Sequence, residues 1–366
     1  MGAHRIAVIA GDGIGKEVMP PALEVLRVAG DRFGFEIEFT EFDWSCATYL
    51  ETGRMMPEDG ITRLAQHDAI LLGAVGYPGV PDHISLWGLL IPIRRAFNQY
   101  INLRPAILFD GVQSPLREVD GGIDFVVVRE NSEGEYSEVG GRAFAGTPDE
   151  LAMQEAVFSR RGIDRVVDYA ARLAVERRGA GGRGSVISAT KSNGIIHSMT
   201  LWDEVAAETM AQYPQLSYRP MHVDALAARF VSHPSELDVV VGSNLFGDIL
   251  SDLCAAIVGS LGIAPSANLN PEGDYPSMFE PVHGSAPDIA GRGIANPLGQ
   301  IWSAGMMLDH LGHPDAADAI VGAIRDVLAG SDLRTPDLGG TASTAELADA
   351  VLRALIARGS KNKTVS

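Results

Sequence analysis

Asp248 and Asp252 stand four residues apart in Gly247-Asp-Ile-Leu-Ser-Asp-Leu253, a spacing that puts both on one face of a helix. Two like charges one turn apart repel, and a hard divalent cation with oxygen ligands would remove that cost. Asp224, in His222-Val-Asp-Ala225, is the candidate third ligand. The plainer reading of the spacing is a solvated helix face. Ile249, Leu250, Leu253 and Cys254 around the pair argue instead for a mostly buried helix, where carboxylates need partners. Arg94, Arg104 and Arg129 carry the fixed fork that suits a carboxylate. Each alone reads as a surface ion pair, but with Tyr136, seven residues beyond Arg129, they suggest a carboxylate site. Lys191, in Thr190-Lys-Ser-Asn193, can act as a base if its surroundings lower its pKa; alone it reads as a capping or ion-paired lysine. His283-Gly-Ser-Ala-Pro-Asp288, with Gly291 and Asn296-Pro297 after it, is a dense loop of small and hydrogen-bonding residues.

Apolar runs alternating with helical periods must hold these groups. Strands are expected at 5–10, 69–72, 125–128, 185–189 and 239–241, and long helices at 163–178, 247–258, 297–311 and 345–358. In the third helix Ile301, Ala304, Leu308 and Leu311 share a face, with Asn296 as N-cap and Pro297 at the first position. A further helix after Gly15 buries Val18, Ala22, Val25, Leu26 and Ala29, with Pro20 and Pro21 near its first turn. This alternation predicts a largely parallel, doubly wound α/β sheet, whose ligands gather at the carboxyl ends of strands. Arg129 and Lys191 both fall there. Only 177–184 and the tail after Arg358 read as loose.

Two glycine motifs need separate treatment. Gly179-Ala-Gly-Gly-Arg-Gly184 matches the dinucleotide fingerprint in letters, but it follows a helix and precedes a strand, the reverse of what pyrophosphate binding needs. Gly11-Asp-Gly-Ile-Gly15 lies correctly between strand and helix. It lacks the first glycine and the hydroxyl residue of a P-loop, and reads equally as a tight turn or a ligand loop.

Composition narrows the partners. The chain has 366 residues, 46% hydrophobic and 21% charged, which excludes wholesale disorder. A net charge of −18 argues against nucleic acid or an anionic membrane as main partner. Any anion site must therefore be built from local arginines. Cys46 and Cys254 are the two cysteines, too few for a disulfide framework or a cysteine-rich zinc site. No stretch approaches the roughly 20 apolar residues of a membrane span. Neither a signal-peptide layout nor, with Ile6 at the key position after Gly2, a myristoylation pattern is present. The expectation is a cytoplasmic protein in a reducing compartment.

In combination, Asn102-Leu-Arg-Pro, Val128-Arg-Glu-Asn, Thr190-Lys-Ser-Asn, Asn244-Leu-Phe-Gly-Asp-Ile-Leu-Ser-Asp and Glu280-Pro-Val-His-Gly-Ser-Ala-Pro-Asp resemble the β-decarboxylating dehydrogenases of isocitrate, isopropylmalate, tartrate and D-malate. The resemblance runs from Gly11 to the segment beginning at Thr335. Val80-Pro-Asp-His-Ile-Ser-Leu-Trp-Gly88 is most similar to the D-malate and tartrate branch, because isopropylmalate enzymes carry an acidic residue where Trp87 stands. Leu89 and Leu90 speak for the alternative, 3-isopropylmalate oxidation. A carboxylate-binding module without the reaction is the non-enzyme alternative, disfavoured because every catalytic position is filled.

The resemblance implies a fold of two α/β lobes with a cleft, and not a Rossmann domain. Residues 1–99 and 259–366 would form one lobe and 100–258 the other, with a β-arm near 134–150 and dimer contacts. It implies Mn²⁺ or Mg²⁺ on Asp224, Asp248 and Asp252, with potassium as an optional addition. Lys191 and Tyr136 would be the catalytic pair. Arg94, Arg104, Arg129, Trp87 and Leu90 would bind a small dicarboxylic 2-hydroxy acid. His283, Gly284, Ser285, Ala286, Asp288, Ile289, Asn296 and Asn193 would bind the cofactor, with Asp288 on the ribose hydroxyls. A carboxylate there repels a 2′-phosphate, so NAD is expected. Lys191 and Asp224 would come from the neighbouring subunit, making a homodimer a requirement.

Overall fold

The computed structural model describes residues 3–117 and 119–358. The tail after Arg358 and the Met1-Gly2 start weighed above lie outside them. The chain divides into two compact units, made of the described parts of residues 1–99, 108–115 and 255–366, and of residues 100–107 and 116–254. Among the described residues no helix is long and apolar enough to cross a membrane.

In the first unit His4–Gly11 is a strand whose centre, Ile6 to Ile9, is buried, as expected of a strand covered on both faces. It pairs in parallel with Ile37–Glu41 and Ala69–Ala74, and Ser277–Pro281 adds in parallel beside the latter. Pro265–Leu269 then pairs antiparallel with Ser277–Pro281. The helix Gly15–Phe33 follows the first strand and buries Val18, Ala22, Val25, Leu26 and Ala29 as the periodicity requires. Pro20 and Pro21 lie inside this helix rather than at its first turn, because the helix already begins at Gly15.

The turn from Gly11 to Gly15 is tied tightly into the packing. The N–H groups of Asp12, Ile14, Gly15 and Lys16 all donate to protein carbonyls, which leaves them unable to cradle an anion. Gly13 has φ +53°, and a Cβ there would stand 2.0 Å from the Ser285 carbonyl oxygen, to which Ile14 N–H donates at 2.9 Å. The buried Asp12 carboxylate accepts from the N–H groups of Cys46 and Gly76, tying two further loops to this turn. The later helix spans Leu298–His310. It starts one residue after the expected position, and Asn296 Oδ1 accepts the Leu298 N–H at 3.0 Å.

The second unit orders its strands Ile101–Ile107, Asp124–Glu130, Val239–Gly242, Ser185–Thr190 and Ser217–His222. The first pair is antiparallel and the rest parallel. Helix Arg160–Gly179 starts at an Ser159 cap and runs through Arg177, which was expected to be loose. Arg177 is instead held by Asp238 at 2.6 Å and Asp124 at 3.0 Å. A separate antiparallel ribbon pairs Gly140–Ala143 with Leu151–Gln154 and exposes Val139, Phe144, Leu151 and Met153.

Gly13→Ala should destabilise the protein by roughly 2 kcal/mol or more, through backbone strain and collision with Ser285. Gly34→Ala, at φ +80° with open space around it, should cost only about 1 kcal/mol. Urea midpoints at equal protein concentration check both, and equal shifts would contradict this packing role.

Candidate active site

Arg129 is the last residue but one of the strand Asp124–Glu130, and the helix Asn244–Ile257 starts two residues after the neighbouring strand Val239–Gly242. Both therefore deliver side chains to strand carboxyl ends. Arg129 is buried, so its fork needs acceptors. Nε and one Nη donate to Asn244 Oδ1 at 3.1 and 2.7 Å, and the other Nη donates to Asp248. Tyr136 donates its hydroxyl to the second Asp248 oxygen at 3.0 Å, and the Arg129 guanidinium lies 5.6 Å from its ring centroid. Arg104, from the antiparallel strand Ile101–Ile107, donates to Ser251 Oγ at 2.6 Å and Asn102 Oδ1 at 2.7 Å. It stands 3.4 Å from Asp252 and 3.6 Å from Asp248. Five expected residues thus meet on one helix face.

That helix is less buried than its sequence implied. Ile249 is 57% exposed and Asp252 is exposed, so one side faces solvent. Loss of water on the packed side pushes the Asp252 carboxyl up, Arg104 opposes this, and the like charge of Asp248 adds to it. Lys191 and Asp224 form their own ion pair at 2.7 Å, and the Lys191 hydrogen bond holds the Asp224 carboxyl below its ordinary range. Among the described residues no group of three His, Cys, Asp or Glu is placed to hold a metal. Asp224 therefore does not join Asp248 and Asp252 within one chain. Asn193 is exposed on the turn after the strand Ser185–Thr190.

Sequence reasoning passed over Asn244, which carries two of the Arg129 bonds, and Glu130. The Glu130 carboxyl is pushed up by burial, although Ser132 and the N–H of Glu133 donate to it. For Glu130 the acceptor-rich Val128-Arg-Glu-Asn131 segment was the available signal.

The first unit holds the other group. Ile14, His283, Ala286, Ile289 and Asn296 line a cavity of about 850 Å³ together with Asp337, which was not anticipated. Asp337 accepts from Ser260 at 2.5 Å and from Asn296 Nδ2 at 3.0 Å. His283 Nδ1 lies 3.0 Å from the Gly284 carbonyl oxygen. A carbonyl only accepts, so Nδ1 carries the proton and Nε2 is an acceptor. That Nε2 is buried with no partner among the described residues, a group asking for a ligand donor. Burial lowers the His283 pKa against the Gly284 hydrogen bond, keeping the ring neutral. Gly284, Ser285 and Ala286 line a second cavity with residues 75–82, and Asp288 is exposed on the following turn. Arg94 is buried on Glu280 at 2.9 Å. Trp87 belongs to a π-helical turn, Leu86–Leu90, a feature common at functional sites. Arg95 lies 5.0 Å from its ring, and Leu90 packs against the core.

Arginine forks thus meet carboxylates in one unit, and a neutral acceptor belongs to an apolar cavity of the other. The chain belongs to the isocitrate/isopropylmalate dehydrogenase family, which it matches over residues 5–351. It is 52% identical over 364 residues to the D-malate dehydrogenase [decarboxylating] of Escherichia coli (97% of this chain, 99% of the other). To the tartrate dehydrogenase/decarboxylase of Pseudomonas putida it is 53% identical over 363 residues (96% and 98%). The isocitrate dehydrogenase structure from Methylococcus capsulatus aligns with TM-score 0.86 at 33% identity, covering 96% of this chain and 99% of that one.

The lowered His283 pKa has a signed consequence for stability. As pH falls through about 6.5 the unfolded chain takes a proton that folded His283 refuses, so stability present above that pH is lost below it. His283→Gln should lose less stability than wild type between pH 7 and 5.5. Urea titrations at the two pH values check this, and equal losses would refute the neutral assignment.

Proposed function

We propose that the protein oxidatively decarboxylates D-malate with NAD, giving pyruvate and CO₂, and also acts on tartrate. One observation carries this reading: Arg129, Tyr136 and Asp248 converge, with Asp252 and Arg104 on the same helix face. The hard oxygens of Asp248 and Asp252 suit Mg²⁺ or Mn²⁺, and Asp224 of a second copy would complete the set. When bound, the cation supplies a Lewis acid for the 2-hydroxyl and adjacent carboxylate, and NAD accepts the hydride from C2. Arg104 and Arg129 hold the carboxylate that leaves as CO₂. Lys191 of the second copy takes the hydroxyl proton, and Tyr136 returns a proton to carbon. His283 Nε2, an acceptor in an apolar wall, suits the amino group of adenine, and Asp288 the ribose hydroxyls. Trp87, where an acidic residue would favour isopropylmalate, supports a small C3 substituent. The names of the relatives at 52% and 53% identity agree.

With purified protein, NAD⁺ and Mn²⁺, NADH absorbance should rise with D-malate and with tartrate, pyruvate accumulating from D-malate. Silence on D-malate with turnover of 3-isopropylmalate would keep the chemistry and overturn the reading of Trp87.

A homodimer follows from this reading. The ribbon exposes Phe144 and Met153, and Ile195 and Ile196 lie exposed close after Lys191, apolar side chains that a partner copy could cover. Lys191→Ala and Asp248→Asn, each inactive alone, should regain about a quarter of wild-type activity when dissociated and reassociated at equal amounts. Half the dimers are then hybrids, each with one intact site. No recovery, with hybrids verified by mass, would place Lys191 and Asp248 in the same subunit's site.

A further inference from the structure

Tyr136 reaches Asp248 from the segment Glu133-Gly-Glu-Tyr136, which has no regular secondary structure. Something must hold a phenol there, because the single bridge between Gly134 and Val157 lies two residues upstream and does not extend to Tyr136. The residue immediately before it grips the same helix. Glu135 accepts the Ser243 hydroxyl at 2.9 Å through one carboxylate oxygen and the Leu245 N–H at 3.0 Å through the other. Leu245 lies in the first turn of the helix Asn244–Ile257, where N–H groups have no partner within the helix and the dipole favours a negative charge. Asp248, three residues further on, lies one turn along, and there it receives the Tyr136 hydroxyl.

We propose that Glu135 is a positioning residue for Tyr136: two consecutive residues clamp one helix at points a turn apart and so fix the phenol. The inference rests on Tyr136 and Asp248 belonging to the reacting site. Upstream the segment is already anchored, since Gly134 and Val157 exchange backbone hydrogen bonds at 2.7 and 3.0 Å and Asn244 Nδ2 donates to the Glu133 carbonyl at 3.1 Å. Downstream the Ser137 hydroxyl holds the Glu155 carbonyl. Between these anchors, Glu135 joins the tyrosine's own backbone to the helix that carries its partner. Both its oxygens are engaged at the helix start, which makes it a positioning group and not a proton donor to substrate.

Glu135→Ala should lower kcat by roughly 10- to 100-fold, the scale of an ångström-level misplacement, with the KM for NAD unchanged. Glu135→Gln, whose amide oxygen still accepts from Leu245, should keep most of the activity. In a Tyr136→Phe background Glu135→Ala should add little, because residues acting as a unit are not additive. Full activity of the alanine variant, or the same fold-loss in both backgrounds, would overturn the proposal. Should wild type oxidise none of the three acids, the functional reading fails by itself. The clamp is then decided by a crystal structure of Glu135→Ala: a Tyr136 hydroxyl displaced from Asp248 supports it, and an unmoved one overturns it.

Discussion

A buried guanidinium beside a fixed carboxylate is the constraint on which the second unit is built. Arg129 has lost nearly all contact with water, and leaving such a charge without acceptors costs several kcal/mol. Asn244 and Asp248 supply them from one helix. The helix can come that close because Gly247 has no side chain; a Cβ there would stand 2.6 Å from Arg129 Cβ. The strand end, the helix start and the pitch of the aspartate face are therefore set by one ion pair with its amide neighbour. Tyr136 and Arg104 then use the acceptors that remain.

Lys191 and Asp224 differ in kind. They are half-exposed and exposed respectively, and solvent screening leaves ion pairs of that sort little net contribution. Such a pair can be given up at little cost when either member is needed elsewhere, whereas the buried Arg129 can release Asp248 only to another acceptor. Under the proposed function this division is useful: the rigid half of the site is built into one subunit, and the exchangeable half is presented to the next.

The legibility of these features in the sequence followed their physical origin. Buried parallel strands such as Ala69–Ala74 and Val239–Gly242 announce themselves as apolar runs, because both faces are covered. Ser217–His222 has no such run, since it is largely unburied, and was missed, as was Ile101–Ile107. The aspartate spacing revealed a helix face but not its exposure; Ile249 reads as core and points to solvent. Periodicity reports that a helix has a face, not which neighbours cover it. Asn244, Glu135 and Asp337 were invisible for another reason. Their roles are hydrogen bonds to groups distant in sequence, and an ordinary polar residue carries no local mark of such a partner.

The charge arrangement also links metal and substrate. In this chain Arg104 and Arg129 share Asp248 and Asp252, so two positive and two negative charges balance within a molecule whose total is −18. A surface so acidic repels a dicarboxylate, and the local arginines are already occupied. A divalent cation on the aspartates would take up the charge that now satisfies the guanidinium groups, leaving the cluster with an excess of positive charge and forks in need of oxygen acceptors. A dicarboxylate then restores the balance. Each ligand would raise the affinity for the other by the same factor, so the site would ignore free dicarboxylates until its cation is in place.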